Sequence, residues 1–132
     1  MYSDDPADIS NNTYDAFLGP YRDIIARSVK VLNDDNFIVW VVANYREKKG
    51  DGRMTDFVGD TIRAFQDAGA KYYNDVILIN SVGSGAMRAN TSFVRGSRKM
   101  VKMHQNVLVF VKGDAKKAAA KLPENILEYS LD

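Results

Sequence analysis

The sequence has no cysteine among its 132 residues, which excludes disulfides, zinc–thiolate sites and thiol nucleophiles. It has a single histidine, His104, so no histidine cluster can bind a metal, and any histidine-based triad would have to be built on that residue. No apolar run approaches the roughly 20 residues that a membrane-spanning helix needs. The N-terminus, Met1-Tyr2-Ser3-Asp4-Asp5, is acidic and polar, unlike a signal or transit peptide. An excess of one charge is also missing: 18 Lys and Arg stand against 17 Asp and Glu, a formal net charge of +1, so no overall field points to nucleic acid or membrane. A soluble, cytoplasmic protein with no metal and no membrane partner is the expectation these absences leave. The length and the 45% hydrophobic content suit one domain, 1–132, with material for one core.

Residues 1–13 are polar, contain Pro6 and read as an extended lead-in. Tyr14, Phe17, Leu18, Tyr21, Ile24, Ile25, Val31 and Leu32 then recur at helical spacing, with Arg22, Asp23, Arg27 and Lys30 opposite, which predicts a helix over 14–32. Gly19-Pro20 interrupts that pattern. Proline lacks an N–H and suits the first helical turn, so the reading is a short turn from Thr13 and a main helix that starts at Pro20.

Asn33-Asp34-Asp35-Asn36 is a turn cluster, and Phe37-Ile38-Val39-Trp40-Val41-Val42-Ala43 is an unbroken run of β-branched and aromatic residues. Without alternation, this strand (37–43) is expected to be buried on both faces, as in a sheet covered by helices. A charged loop with Gly50 and Gly52 follows. Thr55 is the expected cap of a second helix over 55–68, with Phe57, Val58, Ile62, Phe65 and Ala68 inward and Gly69 as the stop. Two further strands, 72–79 and 106–111, flank an irregular stretch, 80–105. The tail, 115–132, reads as helical through Ala118-Ala119-Ala120, is stopped near Pro123, and offers Ile126, Leu127, Tyr129 and Leu131 for packing. This order predicts an α/β fold with a mixed or parallel sheet and helical crossovers. Two helices shield one face of three strands, and something else must shield the other.

The stretch from Ser81 to Met103 is the most informative for chemistry. Arg88, Arg95, Arg98, Lys99 and Lys102 supply five positive charges with no acid among them, interleaved with Gly83, Gly85 and Gly96. Residues 1–35, by contrast, carry seven Asp against Arg22, Arg27 and Lys30, so the near-neutral total hides a divided charge map. A basic, glycine-bearing loop suits phosphate contact, because Arg and Lys neutralise phosphates and Gly lets the backbone approach; a solvated loop is the plain alternative. Val82-Gly83-Ser84-Gly85 after a strand is a poor dinucleotide fingerprint, lacking the third glycine and the following acid. His104, just before the last strand, reads as a structural hydrogen-bonder. Glu47, Asp51, Asp56 and Asp60 form either a carboxylate cluster or ordinary charge at a helix N-terminus. No residue stands out as catalytic.

Four segments carry a family resemblance: Tyr2-Ser3-Asp4-Asp5-Pro6-Ala7-Asp8-Ile9-Ser10, Phe57-Val58-Gly59-Asp60-Thr61-Ile62, Tyr73-Asn74-Asp75-Val76-Ile77-Leu78, and above all His104-Gln105-Asn106-Val107-Leu108-Val109-Phe110-Val111-Lys112-Gly113-Asp114. Over about residues 2–117 the chain resembles the C-terminal half of phage and prophage S-adenosylmethionine (SAM)-dependent DNA amino-methyltransferases, some of them fused to ParB-like domains. The resemblance implies a partial Rossmann-like methyltransferase fold whose strands 37–43, 72–79 and 106–111 are the fifth, sixth and seventh of the family sheet. It implies that the glycine-rich SAM-binding unit and the Asp/Cys-Pro-Pro-Tyr motif, which clamps the target amine and stacks on the flipped base, lie upstream and are absent here. Met1 stands where that motif would precede residues 2–10. It further implies that the loop bearing Arg88, Arg95, Arg98, Lys99 and Lys102 faces DNA. Where the family often has Gly-Asp-x-Arg after the fifth strand, this chain has Ala43-Asn44-Tyr45-Arg46, so Asn44 replaces the acid and is, with His104, a structural or site residue.

The resulting expectation is a DNA methyltransferase-like domain of the adenine-N6 or cytosine-N4 class, of phage or prophage origin in a bacterial cell. It would be inactive alone, serving as a fragment or subunit and needing no cofactor by itself, although the whole enzyme would use SAM. The alternative is a stand-alone degenerate module that binds DNA or a protein, such as a phage-encoded regulator or inhibitor. An independent enzyme built on His104 and nearby carboxylates is a third reading. Strand 37–43 would lose its neighbour in the family sheet, so dimerisation across that edge or the bare face, a partner chain completing the sheet, or cover from the tail is expected.

Overall fold

The computed structural model describes residues 4–48, 51–80, 83, 93–96 and 98–124. After a single 3-10 turn at Ile9–Asn11 come α1 (Tyr14–Val31), β1 (Asn36–Val42), α2 (Phe57–Asp67), β2 (Lys71–Ile79), β3 (His104–Lys112) and α3 (Ala115–Ala120). The strands form one sheet in the order β1-β3-β2, and both pairings are antiparallel. β1 and β2 therefore run in the same direction, joined through α2, and β3 returns between them. The α/β class is as expected, but no two adjacent strands among the described residues are parallel, because the strand that separates β1 from β2 runs the other way.

One sheet face and two helices make the core. Tyr21, Ile25 and Val29 of α1 and Ala64 and Phe65 of α2 pack with Val42, Leu108 and Phe110 of the sheet, flanked by Ile38 and Trp40. The Phe65 and Phe110 rings stack at 4.1 Å between centroids. Polar groups in this core are satisfied in a short chain: the Trp40 indole N–H donates to the Tyr21 hydroxyl at 3.0 Å, which shares a 2.9 Å bond with the Thr61 hydroxyl. α3 packs against β1 and β3, and Val111 and Ala118 are buried apart from the main cluster.

Four expectations change. β1 is not buried on both faces: Val39 is 61% and Val41 51% exposed, because α1 and α2 cover only the side of Ile38, Trp40 and Val42. α1 runs through Pro20 instead of starting there. Both Pro20 and Ala16 are exposed, so the Ala16 carbonyl that loses its N–H partner can turn to water, and the buried residues beyond hold the helix across the break. Thr55 does not cap α2. Its hydroxyl donates to the Tyr45 carbonyl at 2.9 Å, and Asp56 is the cap, accepting from the Gly59 N–H at 3.2 Å. The lead-in is extended only in part, since Asp8 caps the Ile9–Asn11 turn. Gly69 ends α2 as expected, at φ +95°. The tail residues Ile126, Leu127, Tyr129 and Leu131 lie outside the described residues. No described helix is long and apolar enough to cross a membrane.

Candidate functional site

The chain leaves β1 at Val42 and folds back on itself, with Arg46 bridged to Met54 and the Thr55 N–H donating to the Tyr45 carbonyl at 2.8 Å. Opposite this turn, residues 98–103 lead into β3. Between the two lies an open cavity of about 310 Å³, with Asn44, Tyr45, Arg46 and Met54 on one wall and Lys99, Met100, Val101 and Lys102 on the other. It sits at the C-terminal end of β1, the end at which open α/β sheets collect their ligands.

Two of the three cations on its walls are tied to the scaffold. The Lys102 ammonium donates to the Asn44 carbonyl at 2.9 Å, bracing the two walls, and burial lowers its pKa. Arg46 donates to the Gly52 carbonyl at 3.3 Å. Lys99 makes no hydrogen bond or ion pair among the described residues, and its Nζ lies where a Cβ on Gly52 would come within 3.4 Å. Gly52 itself is called for by its φ of +70°, which L side chains rarely adopt. Among the described residues no acid lines the pocket. The arrangement suits an anionic group flanked by apolar surface from Met54 and Met100. The positive sulfonium of SAM does not suit it.

Of the loop residues singled out from sequence, the structure brings Lys99 and Lys102 into this pocket. Arg95 and Arg98 are exposed and not on its walls; Arg98, at φ +61°, turns its guanidinium back to the Phe93 carbonyl at 3.3 Å. Arg88 lies outside the described residues. Arg46 was missed as a site residue, although its place just beyond the C-terminal end of β1 was the signal. Asn44 has a visible structural role, because its side-chain oxygen accepts the Val58 N–H at 2.7 Å and so serves the N-terminus of α2. Asn in place of an acid keeps that acceptor. His104 opens β3 opposite Ile79, and its ring has no hydrogen-bond partner among the described residues. The carboxylates do not converge. Arg53 lies 3.5 Å from Glu47 and 3.9 Å from Asp51, whereas Asp56 and Asp60 pair with Arg63 at 2.9 and 2.7 Å. Among the described residues no group of acids and histidine could hold a metal.

Two solved structures share this arrangement of strands and helices. Both are of a Thermus thermophilus protein described as a DNA modification methylase, one a selenomethionine derivative and one complexed with S-adenosyl-L-methionine, with TM-scores of 0.59 and 0.60. The fold matches part of a methylase fold. Sequence identity is 15%, so the likeness is one of fold. The match covers 90% of this chain and 49% of the methylase, so the chain spans about half the length of the protein it matches. No family model matches the sequence, and no curated protein is significantly similar to it.

Proposed function

We propose that this chain is the DNA-facing part of an amino-methyltransferase-type fold, binding nucleic-acid phosphate at the β1-end pocket and acting as a fragment or subunit that does not transfer methyl groups alone. One observation carries the reading: in a chain of net charge +1 whose fold matches about half of a methylase, a pocket with no acid among its described lining residues gathers Arg46, Lys99 and Lys102 at the C-terminal end of β1. Lys99 is the phosphate-seeking group, because its ammonium is uncommitted. Lys102 and Arg46 add charge while fixing the walls. Donor binding and the clamp on the target amine belong to another segment or partner, since the sequence has three prolines and no two are adjacent, hence no Pro-Pro-Tyr.

Fluorescence anisotropy with a labelled duplex, run across a salt series, tests this. Binding is expected to weaken with salt, with log K falling linearly against log salt. Lys99→Ala is expected to weaken it on every sequence alike and to reduce the slope by about one. Binding that ignores salt, or that Lys99→Ala leaves unchanged, would sink the assignment. A stand-alone DNA-binding module would show the same salt dependence with no gain of methylation when an upstream methylase segment is supplied.

A further inference from the structure

An internal phosphate of a nucleic-acid strand carries a single negative charge and has a sugar on either side, so a basic surface suffices to meet it. The pocket at the end of β1 is concave and more strongly charged than that contact needs. Lys99 and Arg46 converge on Gly52 from its two walls: the Lys99 Nζ lies 3.4 Å from where a Gly52 Cβ would stand, and the Arg46 guanidinium donates to the Gly52 carbonyl at 3.3 Å. Two cations drawn to one residue repel each other, and an anion between them turns that repulsion into attraction. The acids of the same turn are engaged elsewhere. Asp51 accepts the Arg53 N–H at 3.1 Å, while Glu47 accepts the Tyr14 N–H at 3.3 Å and lies 3.5 Å from the Arg53 guanidinium. Lys102 brings a further ammonium, of whose three N–H groups the Asn44 carbonyl takes one. A site with this charge suits a dianion better than a monoanion. A phosphomonoester supplies about −1.5 to −2 at pH 7 and three strong acceptor oxygens.

The rest of the cavity decides what the phosphate is attached to. At about 310 Å³ it reaches the size of small-molecule pockets, roughly 300 Å³ and upward, and far exceeds a phosphate group. Tyr45, Met54, Met100 and Val101 supply the remaining surface. Tyr45 is 42% exposed, and edge-on contacts with Tyr14 and Phe57, at 6.0 and 5.6 Å between centroids, fix its ring. An oriented aromatic ring and two thioethers beside a cationic cluster match a nucleoside joined to its phosphate. Such a unit enters a concavity by its free end. The internal phosphate of a duplex does not, because the chain continues on both sides of it.

We propose that this pocket takes a nucleotide phosphomonoester, with the phosphate between Lys99 and Arg46 and the nucleoside against Tyr45, Met54 and Met100. On the reading of this site as one for nucleic-acid phosphate, on which the proposal rests, the source is the phosphorylated end of a strand; a free nucleotide is the other source of the same chemistry.

Short duplexes of one sequence with hydroxyl, 5′-phosphate or 3′-phosphate ends test this by anisotropy, beside a hydroxyl-ended duplex one base pair longer that matches the added phosphates. One phosphorylated form is expected to bind at least about tenfold tighter than the hydroxyl-ended form, a gain that the longer duplex does not reproduce. Lys99→Ala and Arg46→Ala are each expected to abolish that gain. Lys99 makes no bond among the described residues, so Lys99→Ala should keep the circular dichroism spectrum, and it decides alone if Arg46→Ala fails to fold. A nucleoside monophosphate is expected to compete at least about tenfold better than inorganic phosphate. Equal affinity for every kind of end, with binding that still weakens with salt, overturns the proposal and leaves a site for backbone phosphate. Inorganic phosphate competing as well as the nucleotide also overturns it, since the pocket would then hold a bare anion. A chain that binds no duplex, but binds the nucleoside monophosphate through Lys99, upholds the monoester pocket with free nucleotide as its source and removes the nucleic-acid reading.

Discussion

Asp60 joins the two core helices through one carboxylate. It accepts the Tyr14 hydroxyl of α1 and, at 2.7 Å, the Arg63 guanidinium of α2, and its side chain is only 14% exposed. Burial alone would raise its pKa, but the hydrogen bonds from Tyr14 and Arg63 outweigh that and lower it. Burial and then the bond to Asp60 push the Tyr14 phenol up. The two shifts bound a pH window. A carboxylate with a depressed folded pKa contributes stability above its unfolded value, about 3.9, and loses it as pH falls through the folded value. A phenol with a raised folded pKa contributes stability fully present below its unfolded value, about 10, and loses it as pH rises further. Urea unfolding at a series of pH values is therefore expected to weaken at both ends. Asp60→Asn keeps an acceptor for Tyr14 but loses the charge facing Arg63. It is expected to cost about 1–2 kcal/mol at neutral pH and to flatten the acid limb; an unchanged acid limb would mean that other carboxylates set it.

At the scale of elements, α1 carries an avoidable weakness and the β3–α3 turn a strict requirement. Pro20 denies the Ala16 carbonyl its helical partner on an exposed face, so Pro20→Ala is expected to stabilise the protein by about 1–3 kcal/mol, read as a higher urea midpoint with an unchanged slope. Gly113 behaves oppositely. At φ +87°, an added Cβ would meet the Asp35 carboxylate at 2.6 Å and its backbone nitrogen at 2.8 Å. That same carboxylate accepts the Asp114 N–H at 2.8 Å, so Gly113→Ala would pry apart the turns at the two strand ends. It is expected to cost about 2–4 kcal/mol, clearly more than Gly69→Ala, which meets only the left-handed φ and no neighbour. These elements were largely legible in the sequence because period and punctuation agreed: the α1 stripe, the β-branched run at 37–43 and Gly69 each met one consistent local rule. Pro20 misled because tertiary burial on either side overrode a local veto. Thr55 misled because the Tyr45 carbonyl competed for its hydroxyl. In the pocket, Lys99 and Lys102 were visible as charge, but Arg46 was not, since nothing local shows that 44–46 and 99–102 face each other across more than 50 residues.

Among the described residues, α1 and α2 cover the sheet on one face only. Leu108 and Phe110 on the covered face are fully buried, whereas Val39 and Val41 on the other are more than half exposed, although the sequence of β1 is equally apolar at both sets of positions. Apolar sequence on a water-facing surface contributes little to folding; what it supplies is a place for association. The energetic asymmetry between the faces can be measured within a single sheet. Leu108→Ala removes a fully buried side chain of the core cluster and is expected to cost about 2–5 kcal/mol. Val39→Thr changes a methyl to a hydroxyl in a position that water already reaches, and is expected to stay within about 0.5 kcal/mol of the wild type in dilute solution. The comparison gains its force from concentration. If the open face is free in solution, Val39→Thr remains neutral as protein concentration rises. If a partner or the chain's own tail covers that face, Val39→Thr acquires a cost of about 1 kcal/mol or more, because the hydroxyl would then be buried without a hydrogen bond. Unfolding of both variants at two concentrations, about a hundredfold apart, separates the cases and shows whether the open face of this sheet is covered in solution.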